Sequence, residues 1–233
     1  MRAAFWAILA VAFGLTGAAD AQTTDQPTVI ELYTSQGCSS CPPADAILGE
    51  LADRSGTIVL ALHVDYWDYI GWKDTFAVAA FADRQRSYAR AAGENMIYTP
   101  QMVVNGKTRI AGSNRAEIAQ ALKTSAASNA PDLMLSRTGG RLHITATSQT
   151  ALPEGTFVQL VRYIPEAAVA VTRGENAGRT IEYSHIVTSW QRIGTWNGGS
   201  DLSLVVDAGG QLPAVVIIQE PGPGRILAAA ELR

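Results

Sequence analysis

The stretch VIELYTSQGCSSCPPAD, Val29 to Asp45, decides how the rest of the chain is read. Val29 to Thr34 is rich in β-branched and aromatic residues and reads as a strand. It runs straight into Cys38 and Cys41, the only two cysteines among 233 residues. Pro42 and Pro43 follow at once and suit the first turn of a helix, where an amide proton has no helical partner to lose. Ala44, Ile47, Leu48 and Leu51 then fall on one helical face, and Gly56 stands just past its end. The cysteine pair therefore marks a junction from strand to helix.

Upstream, Arg2, the nearly uncharged run Ala3 to Ala18 and the small-x-small tripeptide Ala19-Asp20-Ala21 form the pattern of a cleavable secretory signal over residues 1–21. The apolar run is shorter than the roughly 20 residues of a membrane helix, so no stable membrane span is expected after cleavage. A periplasmic or secreted protein beginning near Gln22 is predicted. That compartment lets disulfides persist, but two thiols do not make a disulfide scaffold. About 210 remaining residues can bury a core without crosslinks. A formal charge of −3 supplies no basic field for phosphate backbones and argues against nucleic acid as a partner.

Downstream, strand-like and helix-like segments alternate to about residue 127, the pattern of a mostly parallel sheet flanked by helices. Thr57 to Val64 is the next apolar strand. The aromatic segment Asp65 to Asp74 follows, then an alanine-rich helix from about Phe76 to Ala92. Thr99-Pro100 precedes a strand at Met102 to Val104, and Asn105-Gly106 is a hairpin signal into Thr108 to Ile110. Asn114 with Glu117 three residues later suits the capped start of a last helix. Near residue 130 the helical period gives out. Arg141 to Thr147 alternates apolar and polar positions, and Phe157–Tyr163, Ala167–Thr172, Ile181–Val187, Leu202–Val206 and Val215–Gln219 give further strands at the spacing of a β-sandwich. Residues 131–233 are expected to form a smaller, sandwich-like β domain. Its "RGENAG", Arg173 to Gly178, reads as a polar hairpin connection.

The order strand, Cys-x-x-Cys-Pro helix, strand, helix, Thr-Pro, hairpin, helix resembles the thioredoxin superfamily. The stretches "ELYTSQGCSSCPPAD" and "HVDYWDYIGWKD" resemble most a group of secreted, thioredoxin-like bacterial proteins of unknown function. The resemblance implies an α/β thioredoxin-like domain over residues 22–130. It also implies a cis Thr99–Pro100 bond that sets Thr99 beside the cysteines to hold an extended substrate segment. Gly37 departs from thioredoxin itself, where a tryptophan commonly precedes the first cysteine, so substrate docking should differ.

Only a thiolate attacks a disulfide. Cys38, at the end of the strand, lies where free backbone amides and the positive end of the helix dipole favour that charge, and Ser39 and Ser40 add hydroxyl donors. Cys41, one turn into the helix, is the resolving thiol. Glu31 is a candidate proton acceptor for Cys41 through water, or else a solvated residue at the strand's start. Asp65, Trp67, Asp68 and Trp72 follow the second strand on the same sheet edge and suit either a recognition surface or lid, or a plug between domains. A purely structural staple is the weaker account of the pair, because so short a loop yields only about 2 kcal/mol.

Two functions of different class follow. One is a periplasmic or secreted thiol-disulfide oxidoreductase that uses its own Cys38–Cys41 disulfide, without a further cofactor, on a protein thiol or disulfide substrate or redox partner. The other is a binding protein. It is either a copper or zinc carrier in which His63, closing the second strand, joins the two thiolates, or an interaction module that keeps the fold without turnover. His143 and His185 receive no role.

Overall fold

Residues 26–123, 129–208 and 210–233 are described by a computed structural model, and the signal-like segment 1–21 lies outside them. Strand β1 (Thr28–Thr34) leads to helix α1 (Pro42–Ala52), strand β2 (Thr57–His63), helix α2 (Ala79–Ala91), the hairpin β3 (Gln101–Val104) and β4 (Thr108–Ala111), and helix α3 (Arg115–Lys123). Strands β5 (Asp132–Thr138), β6 (Arg141–Thr147), β7 (Phe157–Ala170), β8 (Thr180–Thr195), β9 (Leu202–Asp207), β10 (Ala214–Gln219) and β11 (Ile226–Leu232) follow.

The hairpin turn has the expected chemistry: Asn105 and Gly106 both take positive φ, 47° and 70°, as a two-residue turn matched to strand twist requires. β1 is parallel to β2, with Thr34 opposite His63, and antiparallel to β3. Its residues alternate between two buried faces. Ile30 and Leu32 pack with Ile47, Leu48 and Leu51 of α1 and Ile118 of α3. Val29 and Tyr33 pack with Phe81, Ala82 and Tyr88 of α2.

Residue 130 is a change of composition but not a break in the sheet. One eight-stranded sheet runs β11-β10-β7-β8-β2-β1-β3-β4, and β8 pairs parallel to β2 at Ala61 and Ile186. The reason is physical: β2 is apolar from Ile58 to Leu62 and would otherwise present an unpaired, aggregation-prone edge. β10 becomes interior and is buried at every position. Val215 and Ile217 join the core of β1 and α2, while Val216 and Ile218 face the separate three-stranded sheet β5-β6-β9. That small sheet packs through Leu142, Ile144 and Leu202 against the large one.

Two strands expected as separate segments, Phe157–Tyr163 and Ala167–Thr172, are largely one 14-residue strand, β7, with Pro165 inside it. Proline lacks a ladder donor and normally ends an interior strand. Here the pairing passes from Ile164–Ile186 to Glu166–Ser184, and His185, opposite the proline, adopts a left-handed φ of 53°. The irregularity absorbs the proline, and the β7–β8 hairpin continues as an arm.

Candidate active site around Cys38 and Cys41

Cys38 and Cys41 are joined as a disulfide with Cα atoms 5.4 Å apart. Pro42 takes the first helical position, so Cys41 is the N-cap residue and not one turn into the helix, and its carbonyl accepts from the amides of Ala44 and Asp45. The turn before it is closed by Cys38 N donating to Ser35 O and Cys41 N to Cys38 O. Ser40 Oγ lies 3.4 Å from Cys38 Sγ, and Ser39 is exposed. Both cysteines are buried: Cys38 is 2% exposed and Cys41 0%.

Beneath the head of α1 lies a polar cluster. Asp74 Oδ2 accepts from the Gln36 amide at 2.8 Å and pairs with His63 Nδ1 at 2.8 Å, while Asp74 Oδ1 accepts from the Phe76 amide. This carboxylate therefore ties the end of β2 to the loop that carries Cys38. The other imidazole nitrogen, His63 Nε2, has no partner, and neither do Thr34 Oγ1, both Asp45 carboxyl oxygens or Tyr183 OH, all buried. His63 and Tyr183 meet edge to face, their ring centroids 4.8 Å apart.

Asp45 is four residues beyond Cys41, about one helical turn, and only 4% exposed. Burial pushes its carboxyl up to about 7, against the weaker pull of His63 and the Thr34 hydroxyl, and the nearby Asp74 adds to the rise. Neither His63 nor Thr34 completes a hydrogen bond to it. An open groove of about 670 Å³ lies between α1 and β8, with Pro42, Asp45, Gly49, Ile181 and Ser184 in its lining, while both Asp45 carboxyl oxygens stay buried. A carboxyl that titrates near neutrality beside a disulfide can hold or release a proton during thiol exchange.

The Thr99–Pro100 peptide is cis. A Cβ placed on Gly112 would lie 3.0 Å from Pro100 Cβ and 3.2 Å from Ala44 Cβ, so the proline sits close to the head of α1. Trp67 Nε1 donates to Thr99 Oγ1 at 2.7 Å, and Trp72 Nε1 donates to Gln36 Oε1 at 2.8 Å. The two indoles thus frame the site without being exposed. Trp72 also packs with Phe76, Val171, Ile181, Tyr183 and Ile186 along the β7–β8 arm, which makes it a plug between the halves of the molecule. Asp65, half-buried, turns the chain through its carbonyl to the Asp68 amide, and Asp68 Oδ1 accepts from the Asp74 amide.

Glu31 does not serve Cys41. Residues alternate along a strand, and Glu31 shares the α2 face with Val29 and Tyr33, while α1 covers the other face. Its carboxylate accepts four hydrogen bonds, from Tyr33 OH, Arg84 Nε, Arg84 Nη2 and Tyr88 OH. Nor is Glu31 solvated; it is wholly buried. His63 spends one nitrogen on Asp74, and no group of three or more His, Cys, Asp or Glu side chains among the described residues is placed to hold a metal ion.

Sequence reasoning passed over Asp45, Asp74, Gln36, Tyr183 and Asn176. Asn176, in the arm's tip, reaches the cysteine turn across 138 residues of sequence: its Nδ2 donates to Gln36 O at 3.0 Å and to Cys38 O at 2.9 Å. An acid in a helix's first turn ordinarily complements the dipole, and an asparagine in a glycine-bounded turn ordinarily serves the turn, so neither stood out. No helix among the described residues is long and apolar enough to cross a membrane.

The profile of a family described as protein of unknown function, DUF1223, matches residues 29–219. A crystal structure of a protein from Agrobacterium tumefaciens is 30% identical, covering 88% of this chain and 93% of that one, with a TM-score of 0.76. HBP35 of Porphyromonas gingivalis is 12% identical over 90% of this chain and 76% of that one, with a TM-score of 0.60, a likeness of fold alone. No curated protein matches.

Proposed function

The chain belongs to the DUF1223 family of proteins of unknown function, and from that premise we propose that it is a thiol-disulfide oxidoreductase built on a thioredoxin-like unit and working outside the cytoplasm. The observation that carries this reading is the Cys38–Cys41 disulfide at the head of α1 with Asp45, a buried carboxyl titrating near 7, one turn further on. The secretory pattern of residues 1–21 supports the compartment.

In the oxidising direction a client thiolate attacks Cys38 Sγ and forms a mixed disulfide. The Cys38–Cys41 bond breaks, and Cys41 leaves with the electron pair. Asp45, protonated below about pH 7, holds the proton that Cys41 takes up. A second client thiolate attacks the client sulfur of the mixed disulfide and releases Cys38 as a thiolate, which is protonated from solvent. The client loses two electrons and two protons, and the pair ends as two thiols. Run backwards, the same steps reduce a client disulfide, with Cys38 attacking and Cys41 resolving. Trp67, Thr99 and Pro100 border the place where a client segment lies.

The test is the equilibrium potential of the pair, read by mass after incubation in thiol buffers of known poise, together with a Cys41→Ser variant. A potential between about −270 and −120 mV and recovery of client mixed disulfides on Cys38 are the expected results. A potential below about −300 mV with no trapped client overturns the proposal in favour of a structural disulfide.

A further inference from the structure

We infer that the tip of the β7–β8 hairpin is a latch, supplied by the second half of the chain, that occupies the approach to Cys38 and must lift before a client reaches the disulfide. The inference rests on the exchange reading above and supplies what that reading lacks, since a sulfur in a residue 2% exposed cannot be attacked as it stands.

Three observations carry it. The first is chemical. Within the tip, Arg173, Gly174, Glu175, Ala177 and Gly178 are exposed, while Asn176 alone is wholly buried. Its amide donates to two carbonyls that flank the active-site turn, Gln36 O and Cys38 O, and its own Oδ1 is held by Arg179. Main-chain carbonyls beside a reactive disulfide are the groups an extended client would engage through its own amides. Asn176 therefore fills in cis a position that suits a client backbone.

The second is steric. A Cβ on Gly174 would lie 3.2 Å from Trp72 Cβ and 3.5 Å from Ile70 O. The tip is thus seated against the aromatic loop that borders the site, and the close approach is made with glycine. The third is mechanical. The β7–β8 pairing skips Pro165 and His185, where His185 takes a left-handed φ, while the register stays the same on either side, and β8 meets β2 in register only at Ala61 and Ile186. Beyond that point the arm is held by side chains and not by a ladder, so its tip can part from the site while the sheet stays intact.

The experiment measures the rate at which dithiothreitol reduces the Cys38–Cys41 bond in the full protein, by alkylation and mass. Asn176→Ala removes both donors, and Asn176→Asp turns a donor into an acceptor facing two carbonyls. Each should speed reduction by about tenfold or more. Equal rates in the native protein and both variants overturn the latch. The unmodified protein gives an independent reading, should a variant fold poorly. Its reduction rate should rise only shallowly with urea, as local opening does, and a slope equal to that of global unfolding overturns the latch as well. These rates report access whatever the pair's potential is. A failed latch with an exchange-range potential leaves the oxidoreductase reading standing, and an overly reducing potential sinks that reading without touching the rate ratio.

Discussion

Glu31 and Thr34 stand three residues apart on one strand and face opposite sides of the same sheet, and the polar groups around them are treated in opposite ways. On the α2 side, the Glu31 carboxylate takes four hydrogen bonds from Tyr33, Arg84 and Tyr88, and Gln219 of β10 joins by accepting from Arg84 and donating to Tyr88 OH. The Arg84 guanidinium, which burial alone would make less basic, is held charged by Glu31 and lies 3.7 Å above the ring of Trp190. On the α1 side, Thr34, Asp45, His63 and Tyr183 keep buried polar atoms without partners. Each such atom costs about 1–3 kcal/mol. The first cluster joins β1, α2 and β10 across the two halves of the molecule. The second is left short of satisfaction near a disulfide, and within it burial lifts the Asp45 carboxyl to about 7, where it can gain and lose a proton.

The largest effect that sharpens this contrast is on the satisfied side. Glu31→Gln leaves the Arg84 charge without its counter-ion, and breaking a buried pair from one side should cost about 3–5 kcal/mol in denaturant melts. Dithiothreitol reduction of the folded variant should change by less than about twofold, because the two clusters lie on different faces. A large change in that rate with little loss of stability would erase the distinction between them.

Asp45→Asn probes the other side through pH. The folded carboxyl titrates near 7, above its unfolded value near 3.8. The native state therefore binds the extra proton between those limits, and stability from this group is full below about pH 4 and lost as pH rises through 7. The loss is roughly 4 kcal/mol for a shift of this size. The variant should lack that decline, so that melts of the two proteins from pH 4 to 8 diverge with the native protein falling away. Parallel curves would mean that Asp45 is not protonated near neutrality, and the proton step assigned to it would go with them.

How much of this was legible in the sequence follows the range of the interactions. The junction that presents the cysteines is local: a β-branched run, then two prolines that can only begin a helix. The Asn105-Gly106 turn is local as well, with the backbone its residue types favour. Glu31 read as a proton acceptor or a solvated residue because its counter-ion, Arg84, lies 53 residues away and nothing near it in sequence names it as the partner. The joining of β8 to β2, and the contact of Asn176 with Cys38 across 138 residues, are tertiary. A division at residue 130 was the natural reading because composition changes there, while strand pairing obeys the need to cover an apolar edge. Asp45 was hidden for the same reason: its place in the first turn follows from the sequence, and its burial follows from β8, which arrives from the far half.

The smallest expected effect lies at the boundary between the two treatments. Trp72→Phe keeps the ring that packs against Ile181 and Tyr183 but removes the indole donor to Gln36 Oε1. That oxygen still accepts from the Thr75 amide, and Gln36 Nε2 still donates to Thr75 Oγ1. Gln36 is therefore left satisfied, and the loss in a denaturant melt should be about 1 kcal/mol or less, below the usual penalty for orphaning a buried group. Because the Gln36 amide remains on Asp74 and its carbonyl on Asn176, the Cys38 turn and the latch both stay in place, and the reduction rate should hardly move. A loss of about 3 kcal/mol instead would show that the outer ring is no more redundant than the inner one. The unpaired groups would then be part of a single strained unit extending from Tyr183 to Trp72.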